Sequence, residues 1–163
     1  MDLAVMLHDS ETKILDEAYA TLQREHAHHY EAAGDRFTRE RLADLFHLVV
    51  EAISKRDLAE MGFYSERIAA ERFNAGFDIV EVQAGFNALE VAMWRQVVST
   101  VPDIDLAEDI GILSTVLGFG KDALARTYVS LASKRHVPSL GHVRPVPGHQ
   151  LLSRRARTVH LPG

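Results

Sequence analysis

Apolar residues recur along this chain at spacings of three and four, the period of helices that bury one face. From about Asp9 or Ser10 to Ala33 the stripe is Ile14, Leu15, Ala18, Tyr19 and Leu22, with Gly34 as the stop. A second helix follows Thr38 and carries Leu42, Leu45, Phe46, Val49, Val50 and Ile53. A third follows Asp57, with Leu58, Met61, Ile68, Ala69 and Phe73, and ends at Gly76, a residue free to take the left-handed conformation of a helix C-terminus. Asp78 opens a fourth helix. Glu81 stands three residues on, a capping box with Asp in place of Ser or Thr, and Pro102 marks the end. A fifth opens at Asp105, with Glu108 three later, and carries Leu106, Ile110, Leu113, Leu117, Leu124 and Tyr128. No segment alternates with a period of two. The pattern predicts an all-α single domain of five to six helices over residues 1–136, globin-like or a helical bundle, followed by an irregular tail over 137–163.

The fourth helix is apolar on two faces. One stripe is Ile79, Val82, Phe86, Leu89, Met93 and Val97; the other is Val80, Ala84, Val91, Trp94 and Val98. Gln83, Asn87 and Glu90 fall between them at 100° per residue. Such a helix belongs in the centre of a fold or at an interface. Polar groups wedged between apolar stripes need partners, either an internal network, a second copy or a ligand. Gln83, Asn87, Glu90 and Trp94 are therefore the candidate contact residues. The fifth helix has a second stripe too, Ile112, Val116, Phe119 and Ala123, and three interior glycines: Gly111, Gly118 and Gly120. Each glycine costs about 1 kcal/mol against Ala in a helix, so the pattern predicts a kink or a close helix contact there.

Composition narrows the classes. The 163 residues hold no cysteine, which removes disulfides, thiol catalysis and cysteine-ligated metal. No apolar run approaches 18 residues and no leader pattern opens the chain, so the expectation is a cytoplasmic protein without a membrane partner. Charge is uneven. The last acid is Asp122, and residues 134–163 carry six Lys and Arg, while residues 1–133 carry 12 basic and 23 acidic residues, a net −11. An acidic body disfavours nucleic acid as the main partner.

The one metal-like cluster is Glu25-His26-Ala27-His28-His29. Glu25 and His28 have the Glu-x-x-His spacing of di-iron bundles, and Asp44 with His47 repeats it. Helix phase sets His26 and His29 on the apolar stripe, while His28 and His47 point elsewhere. The favoured reading is no metal and no cofactor. The alternative is a metal or haem held by Glu25, His26 and His29. Gly118-Phe119-Gly120-Lys121-Asp122 is not a phosphate loop, because Asp122 stands where Ser or Thr is required and no strand precedes it. No catalytic constellation has a meaningful spacing, so the expectation is a protein that is not an enzyme.

Three segments together resemble one family: ERFNAGFDIVEVQAGFNALEVAMW, HHYEAAGDRFTRERLADLFHLVVEAI and LGFGKDALARTYVSLASKR. They are similar to the N-terminal domain of RsbRD-type RsbT co-antagonist proteins. The resemblance implies a bacterial, all-α, non-haem globin-like domain. It further implies a homodimer that serves as a signal-input module in stress signalling, and no catalytic residues. Co-antagonists of this kind continue into a second, anti-sigma-antagonist-like domain, whereas this chain runs only about 30 residues past its last helix. The domain either works alone or belongs to a longer protein. The expected function is regulatory, through dimerisation and the binding of a signalling partner or a small ligand.

Overall fold

The computed structural model describes residues 2–30 and 34–136, with the side chains of 26–30 and 136 excepted. Six helices follow one another: α1 (Leu3–Asp9), α2 (Glu11–Tyr30), α3 (Asp35–Lys55), α4 (Ala59–Asn74), α5 (Ile79–Thr100) and α6 (Asp103–His136). There is no strand among the described residues, so the fold is all-α, around one core. The tail over 137–163 lies outside the described residues.

The local signals explain most boundaries. Asp78 accepts from the Val80 amide at 2.8 Å, and the Asp78 amide donates to Glu81 Oε2 at 2.8 Å, so the capping box that opens α5 is complete. Gly76 takes φ +85°, and its amide donates to the Phe73 carbonyl, which lets the chain reverse between α4 and α5. Asp2 caps α1 through the Val5 amide at 3.2 Å, and Leu3, Met6 and Leu7 of that helix are buried.

Two starts differ from the sequence expectation. Helix α3 begins at Asp35, not after Thr38. Gly34 at φ +87° occupies the cap position, and the Thr38 hydroxyl turns back to the Gly34 carbonyl inside the first turn. Helix α6 begins at Asp103, directly after Pro102, so Asp105 and Glu108 do not form a cap. Proline lacks an amide and sits without penalty at a helix start. Asp103 and Asp105 instead set negative charge against the positive end of the helix dipole.

Helix α6 has 34 residues and is about 51 Å long at 1.5 Å per residue. It packs against α4 on one flank and α5 on the other, while α2 packs on α5 and α3. The close contact expected of the α6 glycines occurs at Gly120 only. A Cβ there would lie 2.8 Å from Phe86 Cε1 and 2.9 Å from Met61 Sδ, whereas one at Gly111 or Gly118 would meet nothing within 4 Å. Gly120 is therefore where α4, α5 and α6 meet. Phe46, Leu89, Met93, Leu113, Leu117 and Leu124 are among the fully buried side chains of the core.

Candidate functional site

The two stripes of α5 have different fates. Phe86, Leu89, Met93 and Val97 are buried against the other helices, as a core stripe must be. The second stripe, Ala84 aside, faces outward: Val80 is 63% exposed, Val91 40%, Trp94 39% and Val98 57%. Val80, Val91, Trp94 and Val98 lie within about 60° of one another round the helix, with Asn87 among them, and run about 27 Å along it. The apolar line has no cover within the described chain.

The candidate contact residues flank or enter this line. Asn87 is exposed within it, and Gln83 is half-buried at its edge. Glu90 is half-buried and accepts from Lys121 Nζ of α6 at 2.6 Å. That pair ties α5 to α6 beside Trp94. Further along α5, Gln96 bridges to Ser10 and Lys13, and Arg95 pairs with Glu17 of α2, so the opposite flank is also held. The face is thus apolar and flanked by side chains tied to neighbouring helices: Glu90 to Lys121, Arg95 to Glu17, and Gln96 to Ser10 and Lys13. Such a surface suits association better than catalysis.

The alternative cluster divides. Glu25 is exposed, and the side chains of His26 and His29 lie outside the described residues. His47 does not work with Asp44; its Nε2 lies 2.9 Å from Glu11 Oε1, and His8 stands on the other oxygen of that carboxylate at 3.6 Å. Among the described residues no three His, Asp or Glu side chains are placed to hold a metal ion.

A second site was not anticipated. Between α3, α4 and the start of α5 lies a cleft of about 80 Å³. Its inner wall is Leu22, Leu42, Leu45, Ile68 and Phe86, all buried. Its rim is Phe37, Arg41, Arg72, Phe77 and Glu81, none of them fully buried. The Arg41 guanidinium lies 5.1 Å from the centroid of Phe37 and donates to Glu71 at 3.2 Å. The Arg72 guanidinium lies 5.2 Å from Phe37 and 4.8 Å from Phe77. Burial pushes the Tyr64 phenol at the cleft wall upward from its ordinary pKa, and the positive charge of Arg41 opposes that shift. These residues come from four separate segments. The only local hints were the Phe37/Arg41 spacing of four and the nearness of Arg72 to Phe77, and neither means anything until α3 and α4 are side by side.

Compared with known protein families, curated proteins and solved structures, the chain matches none of them. Among the described residues no helix is long and apolar enough to cross a membrane.

Proposed function

We propose that this chain is a non-enzymatic regulatory domain that works as a homodimer, with the outward face of α5 as its contact surface. The observation that carries the reading is the line Val80, Val91, Trp94 and Val98, apolar and exposed along one face of a single helix. Monomeric proteins rarely leave a large contiguous apolar patch open to water. A two-fold pairing sets this face against its own copy, so each residue is used twice. Asn87 within the line fixes the register of such a pairing, as a lone polar residue does between paired helices. The resemblance to co-antagonist N-terminal domains supports the same reading, with a globin-like helix arrangement and a role in bacterial stress signalling from the cytoplasm.

The mechanism is a shift between two relative placements of α5 and α6, biased by a protein partner or a small ligand. The Glu90–Lys121 pair links those helices beside the contact face, so a change in their packing reaches the partner copy directly. Trp94 is the chain's single tryptophan and reports on the face without labelling. Its emission should shift to longer wavelength as the protein is diluted and the face becomes hydrated. Trp94→Glu should keep the helical circular dichroism and abolish concentration-dependent association. Emission independent of concentration, with association unchanged in Trp94→Glu, would rule out this face as the contact.

A further inference from the structure

We infer that the cleft between α3, α4 and α5 binds a short, unbranched aliphatic carboxylic acid, with its chain inside and its carboxylate between Arg41 and Arg72. The inner wall is mostly apolar: Thr38 turns its hydroxyl to the Gly34 carbonyl and the Tyr64 phenol is the other polar group, so the buried part of an occupant is mainly hydrocarbon. The cleft volume of about 80 Å³ matches two or three waters at roughly 30 Å³ each. An occupant buried there is narrow and unbranched, and its enclosed part is a few methylene groups long.

The rim selects the head group. Both guanidinium groups sit within 5.2 Å of the Phe37 ring, which holds them in place and limits their hydration. Arg41 gives one donor to Glu71 and keeps others, since a guanidinium carries five. A planar fork of donors beside an apolar slot fits a carboxylate in two-pronged fashion. The Glu81 carboxylate at the rim is engaged at the start of its own helix, accepting from the Asp78 amide. The Phe37 and Phe77 rings, which would attract a cationic head group, already have the two arginine guanidinium groups beside them. An amine therefore meets like charge, and an alcohol leaves the guanidinium donors poorly paired.

The site also has a ready means of closure. Gly85 lines the cleft, and a Cβ there would meet nothing within 4 Å. A side chain at Gly85 therefore grows into open space and fills the slot without displacing the core.

The inference is independent of the dimer reading, since the cleft lies within one chain. The test is titration calorimetry of the full chain with hexanoate, hexan-1-ol and hexylammonium at equal ionic strength. Hexanoate should bind at least ten times more tightly than either of the others. Gly85→Leu should remove hexanoate binding while its circular dichroism matches the parent chain. Arg72→Gln should weaken hexanoate about tenfold and leave hexan-1-ol unchanged. Gly85→Ala provides a second, milder block that favours the helix. The inference is overturned if hexanoate does not bind, if the three probes bind alike, or if folded Gly85→Leu and Gly85→Ala bind hexanoate as the parent does.

Discussion

Two alanine substitutions in one helix should move stability in opposite directions. Gly111 and Gly120 both lie inside α6, nine residues apart, and each gives up about 1 kcal/mol of helix propensity relative to Ala. At Gly111 a Cβ meets nothing within 4 Å, so Gly111→Ala should recover that amount in full. At Gly120 the same methyl would sit 2.8 Å from Phe86 Cε1 and 2.9 Å from Met61 Sδ. Phe86 is 3% exposed and Met61 fully buried, so relieving the contact means moving core side chains: the Met61 thioether must swing and the Phe86 ring must shift toward the cleft it lines. Overpacking of this kind costs about 1–3 kcal/mol, which outweighs the propensity gain. Net of the propensity gain, Gly120→Ala should lose up to about 2 kcal/mol. For a domain of this size 1 kcal/mol corresponds to roughly 3–5 °C in Tm. The two variants should thus differ by about 3–15 °C in a thermal melt followed by circular dichroism. Equal shifts, or a gain at Gly120, would refute the account of α4, α5 and α6 meeting at that residue.

Two further outcomes follow from the ends of helices and from a buried acid. Asp78→Ala removes the acceptor for the Val80 amide and should cost about 1 kcal/mol in chemical denaturation, with the slope unchanged. Asp109 is 9% exposed, and burial, reinforced by the negative charge of Asp105, raises its carboxyl pKa. A raised acid favours its neutral form in the fold. Its favourable contribution is present below the unfolded pKa and is lost as pH rises through the folded one. Asp109→Asn should therefore raise Tm at pH 7, and its advantage over the parent should shrink as pH falls toward 4. An advantage that stays constant with pH would assign the effect to packing alone.

Local chemistry was legible where it is written in consecutive residues. The Gly76 turn and the Asp78/Glu81 box lie where the pattern placed them, because both depend on residues within four positions. The short α1, with Asp2 as its cap and Leu3, Met6 and Leu7 buried, was not placed by the pattern, which began its first helix at Asp9 or Ser10 and gave a sixth helix no position. The start of α6 was misplaced by two residues because Asp105/Glu108 imitates a cap. Pro102, three residues before the acceptor of that imitation, decides the boundary. Periodicity distinguished two apolar stripes on α5 but could not say that only one meets a partner inside the chain. That depends on where α2 and α6 end up, as does the cleft rim, which joins Phe37 and Arg41 of α3 to Arg72 of α4. The glycines of α6 show the same limit: three looked alike in sequence, and only Gly120 faces Phe86 and Met61.

The measurement that bears most directly on the central claim is the mass of the full chain in solution by sedimentation equilibrium over a wide concentration range. A chain of 18.2 kDa that pairs through the α5 face should sediment as a species of twice that mass, and Trp94→Glu should return it to 18.2 kDa with its helices intact. A parent protein that stays at 18.2 kDa up to the highest concentration reached would contradict the account. The exposed line from Val80 to Val98 would then have to meet something other than its own copy.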